Sequence, residues 1–328
     1  MSVYRPQVRL GLSPAAVRSG LVLVAAVGVV VALSAVAVGP NTAQAAYVAI
    51  LFLLSPSRSH HPRIRLTAAA VAVAVAIAGY LVGPLGVPAV VAGLIVVGVV
   101  QAQFRLADVS GLSRAPVNFM AFAALSGTGA ALWQVVLGTV IGAAFILVLA
   151  SVLPQSAHEP EPSTRLARIE YGVTLTVGVV VIVVGAELLR FPYVTWALLS
   201  YCMVLSVGAD QRAGRVVERV IGTVLGALGA TAVAFAPEPI PIIVAVVATV
   251  LCVAYLRDGN YLMFVAFLTP AVLLTTGAGA GAVALGVGRV EAVLAAGLLA
   301  LCLTWAVGTV GTRWLSRAER RRHSPPPA

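Results

Sequence analysis

The chain has 328 residues, 60% of them hydrophobic and 10% charged, with 21 basic residues against 11 acidic ones and a formal charge of +10. Mean hydropathy is +1.03, whereas a soluble domain has roughly a quarter of its residues charged and about half apolar. A water-soluble globule is excluded. Because a bilayer-spanning helix takes about 20 apolar residues, the chain reads as an all-α polytopic membrane protein with no room for a soluble catalytic domain.

In chain order, apolar segments are expected at 20–39, 42–54, 66–83, 86–104, 117–131 and 132–153, and then at 170–189, 192–207, 220–236, 239–256, 261–277 and 286–310. The first follows a basic stretch and precedes Ala43-Gln44-Ala45, which resembles a signal-peptide cleavage site. The apolar run from Gly20 to Val38 exceeds the usual h-region of about 7–15 residues, so it is expected to stay as a permanent helix.

Every basic residue is arginine, and arginines beside the membrane are retained on the cytoplasmic side. With twelve spans and a cytoplasmic N-terminus, all arginines but Arg190 and Arg289 fall inside, including the basic tail at 313–328. The expected location is the bacterial plasma (inner) membrane, with both termini cytoplasmic. Cys202, Cys252 and Cys302 sit within apolar runs without metal-type spacing, and read as small buried hydrophobes.

The chain reads as two six-helix repeats, 1–153 and 169–312, joined by a polar, Pro-rich cytoplasmic linker at 154–168. Six is an even number, so both halves share one orientation about an axis along the membrane normal. The clearest internal match is Arg58, His61, Arg65, Ala68 and Ala72 against Arg212, Arg215, Arg219, Gly222 and Gly226 at the same spacings. Such positions lie on one helix face, cationic at its cytoplasmic end and small-lined beyond, so that it faces protein rather than lipid. One step further the copies diverge, with Val75 opposite Gly229.

A second match sets Asn118-Phe119-Met120-Ala121-Phe122 against Asn260-Tyr261-Leu262-Met263-Phe264, each opening the fifth helix of its half; the first copy is short and the second carries Pro270. Short or interrupted apolar segments at corresponding positions of two halves point to a transporter's binding region.

With these residues in place, the second half resembles the fusaric acid resistance (FUSC-like) family of aromatic acid exporters. The resemblance rests on Trp196, on Arg219-x-x-Gly222-Thr223-x-x-Gly226-Ala227, on Asn260-Tyr261 and on Arg289, and covers about residues 165–310. It implies efflux of aromatic and other weak carboxylic acids. The plant malate channels look distantly similar. The extended cytoplasmic domain that larger members carry between their halves is absent from the intervening segment.

An organic anion crossing a bilayer needs compensating positive charge, and arginine grips a carboxylate in two places without deprotonating. Arg212, Arg215 and Arg219 are expected to line one side of a cytoplasmic funnel, with Arg58 and Arg65 opposite. Asn118, Asn260 and Tyr261 are candidates to shape a midplane site, although capping alone would explain both asparagines. Trp196, Tyr193 and Tyr201 could stack on an aromatic substrate or belong to the interfacial belt. For proton coupling the candidates are Glu170, Glu187 and Glu291, of which Glu291 lies farthest into its helix, where a local pair with Arg289 would also account for it.

No phosphate loop, nucleophile elbow or metal-type histidine spacing occurs, and adjacent His60-His61 point apart on a helix. No enzymatic activity, cofactor or metal is expected, and the basic tail is not read as a nucleic-acid site. The expected partners are the lipid bilayer and a small organic anion; homo-oligomerisation is left open. The sequence therefore reads as a secondary exporter of small organic carboxylates, aromatic ones among them. A passive anion channel, a membrane-embedded transferase and a non-transporting scaffold subunit are the alternatives.

Overall fold

A computed structural model describes residues 11–54, 62–104, 114–152, 165–277 and 279–323. Its helices are α1 (Pro14–Ala37), α2 (Pro40–Leu53), α3 (Pro62–Val82), α4 (Val87–Phe104), α5 (Ala115–Leu125), α6 (Leu132–Val152), α7 (Arg165–Leu188), α8 (Val194–Leu205), α9 (Arg212–Ala234), α10 (Ile240–Arg257), α11 (Tyr261–Thr276) and α12 (Ala280–His323). Each expected apolar segment corresponds to one helix, and the described residues form no strand. Seven reach membrane-crossing length and apolarity: α1, α3 with its 3₁₀ extension, α6, α7, α9, α10 and the Ala280–Thr309 part of α12.

The shortest helices are the second and fifth of each half. α2, α5, α8 and α11 have 14, 11, 12 and 16 residues, so at about 1.5 Å per residue none covers a hydrocarbon core about 30 Å thick. Local chemistry sets their ends. Pro116 opens α5, and Gly129 at φ 78° terminates the 3₁₀ turn that follows it. At α11, Gly259 at φ 79° precedes the Asn260 cap.

Several expected boundaries move, among them those of α7 and α12. α7 begins at Arg165, so the end of the expected linker is helical. α12 starts six residues before the expected span and continues to His323, so the basic tail is largely a helical extension. An apolar run shows where a helix meets lipid, but not where an arginine- and glutamate-containing helix continues beyond it.

The interior is built from small residues, among them Ala45, Ala49, Ala72, Ala76, Ala230, Ala248, Ala296 and Ala300, while Leu33, Leu81, Val96, Leu188, Leu228 and Leu298 face outward. This is the reverse of a soluble protein. Lipid is as apolar as leucine, so helices associate by close packing, which small side chains allow. Within the first half α2 packs on α6 and α3 on α5 and α6; within the second, α8 packs on α12 and α9 on α11 and α12. Between them α4 packs on α7 and α1 on α10. At the latter contact a Cβ on Gly20 would lie 3.2 Å from both the Ala254 nitrogen and the Val250 oxygen. One hydrophobic cluster joins Leu94 and Phe119 to Leu175, Leu198 and Tyr201, so the halves share a core.

Candidate functional site

Arg212, Arg215 and Arg219 follow one another at i, i+3 and i+7 from the first residue of α9, which puts them on one side of that helix. Their partners differ. Arg212 is 2% exposed; its Nη1 donates to Thr304 Oγ1 of α12 at 2.8 Å and lies 3.6 Å from Glu170 Oε1 of α7. The Thr304 hydroxyl donates in turn to the Ala300 carbonyl. Arg212 therefore ties three helices together. Arg215 faces Glu218 at 3.6 Å and places its Cζ 3.8 Å from the centroid of the Tyr261 ring.

Arg219, also 2% exposed, donates from Nη1 to the Tyr261 hydroxyl at 2.7 Å. Its Nε has no acceptor, and no carboxylate pairs with it among the described residues. Tyr261 is thus held through its ring by one arginine and through its hydroxyl by another, at the first turn of α11. A guanidinium buried against a neutral phenol has lost hydration without gaining a counter-charge, a state that costs several kcal/mol in an apolar interior.

The glycine stripe explains how α9 comes so close to α11. A Cβ on Gly222 would stand 2.7 Å from the Leu262 oxygen, and one on Gly226 would clash with the Ala266 oxygen and lie 2.7 Å from Thr269 Cβ. The Ala266 carbonyl is the one left without a helical donor by Pro270, four residues on. Gly226 therefore lays its backbone against the polar group that the proline frees. The stripe continues through Ala230, which is fully buried, rather than through Gly229, around which there is open space.

In the N-terminal half α3 packs on α5 through small residues, as α9 does on α11, but without the same chemistry. Ala68, Ala72, Val75 and Ala76 are all buried, and a Cβ on Gly79 would meet the Phe119 oxygen at 2.5 Å. The divergence at Val75 does not end this stripe, because Ala76 and Gly79 extend it. Yet Phe119 stands where the second half has Tyr261, and it has no hydroxyl. Arg65 is half-buried and donates to the Ala150 carbonyl near the end of α6 at 3.3 Å, while Arg114 donates to the Leu51 carbonyl near the end of α2. These arginines satisfy helix C-terminal carbonyls. Arg58 and His61 lie outside the described residues.

The two asparagines part company. Asn260 is the N-cap of α11, its Oδ1 accepting from the Met263 N–H at 3.1 Å. Asn118 lies inside α5 and donates from Nδ2 to the Arg114 carbonyl at 2.8 Å. Tyr201 is fully buried and donates to the Thr174 carbonyl, a core contact between α7 and α8. Trp196 is already engaged: Tyr193 stacks on it at 4.9 Å with 6° between planes, and Arg289 Cζ lies 5.3 Å from its ring centroid.

At α12 two expectations change. Arg289, counted on the outer side from the sequence, is the tenth residue of the helix and 3% exposed. Glu291 is exposed and forms no ion pair with it. Two residues apart on a helix, their side chains leave in nearly opposite directions. The sequence also gave no sign of Glu218, a buried carboxylate beside Arg215, or of Thr304 as the acceptor for Arg212.

Residues 177–303 match the family described as fusaric acid resistance protein-like, which implies membrane transport or efflux at a coarse level. No curated protein and no solved structure matches the chain.

Proposed function

Since residues 177–303 match the fusaric acid resistance protein-like family, we propose that the chain exports small organic carboxylate anions, aromatic ones among them, across a bacterial plasma membrane as a secondary transporter. The observation that carries this reading is Arg219, buried at 2% exposure, bonded to a neutral hydroxyl and lacking an acidic partner among the described residues. A carboxylate arriving at Arg219 would supply the missing charge and take both edges of the guanidinium fork. Arg215 and Tyr261 hold the binding face. Arg212, Arg65 and Asn260 serve the bundle around it, and Arg58 and Asn118 stay candidates for the entrance from the first half.

The same reading takes the twelve helices as two parallel six-helix repeats with cytoplasmic termini. Its support is the reciprocal packing of α4 on α7 and α1 on α10, and the matching positions of the four shortest helices. In that arrangement the substrate path runs where the halves meet.

The test is flux of benzoate in proteoliposomes with and without an imposed proton gradient. Gradient-dependent accumulation, abolished by Arg219→Gln with the protein still folded, is the expected result; unchanged flux in that variant removes Arg219 from the mechanism. A passive anion channel is the second reading. It is favoured by the outward exposure of Glu291, which takes the carboxylate offered for proton coupling away from the bundle interior. Gradient-independent conductance would select it.

A further inference from the structure

A pocket of about 530 Å³ opens at the far end of α11, lined by Glu238 just before α10, by Ile242 and Val246 of α10, and by Leu274, Thr275 and Thr276 of α11. Tyr261, the partner of Arg219, stands at the other end of that 16-residue helix, about 24 Å away at 1.5 Å per residue. The pocket therefore belongs to a different region from the arginines of α9. Its volume lies within the usual range for small-ligand sites.

The polar side chains around it offer acceptors. The Thr275 hydroxyl donates to the Ala271 and Val272 carbonyls at 2.9 Å, and the Thr276 hydroxyl to the Val272 carbonyl at 2.8 Å. Each hydroxyl proton is thus spent on α11, and the oxygen lone pairs remain. The Glu238 carboxylate forms no ion pair among the described residues. The Thr275 and Thr276 carbonyls accept no N–H among the described residues, and they end α11, where its dipole is negative. Beside them the Gly277 N–H is taken by the Leu273 carbonyl. The other wall is apolar: Ile242 and Val246, one turn apart on α10, are more than half exposed, and Leu274 is buried. The rim is fixed, since the Gly279 N–H donates to the Ala234 carbonyl at 3.1 Å and a Cβ on Gly277 would stand 2.7 Å from Leu285 Cδ1.

We propose that this pocket binds the primary ammonium group of an amphiphile, with Glu238 as its counter-charge, Thr275 and Thr276 as acceptors, and the tail lying along Ile242 and Val246. An ammonium brings three donors and no acceptor, the complement of what these side chains present. A carboxylate would be repelled by Glu238, so the pocket is no station on the proposed anion path. A metal ion is a poorer match, because one carboxylate is too few, and no group of three His, Cys, Asp or Glu side chains able to hold one occurs among the described residues. Two sources carry the ammonium: a lipid-soluble amine and the ethanolamine headgroup of a phospholipid.

The experiment uses the full chain in phosphatidylcholine nanodiscs, whose choline groups carry no N–H donor, at neutral pH and low ionic strength, since salt screens an exposed carboxylate. Thermal unfolding is followed against octylamine and, separately, octyltrimethylammonium. The two probes share charge and tail and differ in their donors. The wild-type midpoint is expected to rise saturably with octylamine, beyond any rise given by the quaternary probe. Glu238→Gln is expected to need about tenfold more octylamine, the loss expected for one charge-assisted contact. Val246→Trp, which fills the mouth from its exposed side, is expected to respond to both probes alike.

Equal wild-type responses to the two probes, or a Glu238→Gln titration that overlays the wild type, overturns the inference. Replacing part of the phosphatidylcholine with phosphatidylethanolamine separates the sources. A midpoint already raised in the wild type but not in Glu238→Gln, with octylamine then adding nothing, assigns the pocket to the lipid headgroup. An octylamine titration unmoved by phosphatidylethanolamine assigns it to a free amine. Binding is read without benzoate, so either result leaves the reading of Arg219 as it stands.

Discussion

Arg219 and Tyr261, 42 residues apart in sequence, meet through a 2.7 Å hydrogen bond that joins α9 to the start of α11. Tyr261→Phe removes the acceptor while keeping the ring under Arg215. A hydrogen bond to a charged group contributes about 1.5–3 kcal/mol, so the variant is expected to lose stability of that order in denaturant unfolding. The ring should survive the change, since Phe119 occupies the corresponding place in the first half. Stability equal to wild type would mean that the guanidinium finds another acceptor.

The glycine stripe allows a contrast between neighbours on one helix. Gly226→Ala places a methyl group against the Ala266 backbone oxygen and 2.7 Å from Thr269 Cβ, forcing α9 and α11 apart. Overpacking of this kind costs about 1–3 kcal/mol. Gly229→Ala meets nothing within 4 Å and is expected to be neutral or to stabilise by up to about 1 kcal/mol, the helix-propensity difference. The thermal midpoint should therefore fall in Gly226→Ala and hold or rise in Gly229→Ala; a matching fall in both would show that the stripe runs through Gly229.

The halves are expected to differ in function although they pack alike. Arg65 is bonded to a backbone carbonyl of α6, so Arg65→Gln, which keeps a donor, should cost no more than about 1 kcal/mol and leave benzoate flux close to wild type. Arg219→Gln should abolish it. Equal losses of flux would instead make the site symmetric about the two halves.

Much of this could be read in the sequence, for identifiable reasons. Helix positions follow from apolar runs, because each run must satisfy its backbone internally in lipid. Arg219 and Tyr261 were both singled out by internal repetition. What repetition could not show is the partner of each charge. Arg212 reaches Thr304 across 92 residues, and no periodicity encodes that contact. Positive-inside counting sets Arg289 on the outer side, at the start of an apolar run, where an arginine is normally an interfacial anchor. Its burial follows from α12 starting at Ala280, so that Arg289 stands inside the helix and not at its end. Val75 and Gly229 were judged by size alone, whereas their burial depends on which side of the helix the next small residue continues.

The remaining prediction concerns which carboxylate, if any, couples transport to protons. Glu291 is exposed on the outer surface of α12, while Glu218 is buried on α9, 3.6 Å from Arg215 and one residue from Arg219. A proton carried alongside the anion must be held where the anion is felt, and Glu218 is a buried carboxylate beside the arginine proposed to hold the binding face: protonating it would free Arg215 and raise the positive charge facing the substrate. Glu291→Gln is therefore expected to leave both benzoate flux and its dependence on an imposed proton gradient unchanged. Glu218→Gln should retain downhill benzoate flux but lose gradient-driven accumulation. Initial rates in proteoliposomes, measured for each variant with and without the gradient, separate the two residues. Accumulation lost in Glu291→Gln and kept in Glu218→Gln would move coupling to the outer surface of α12.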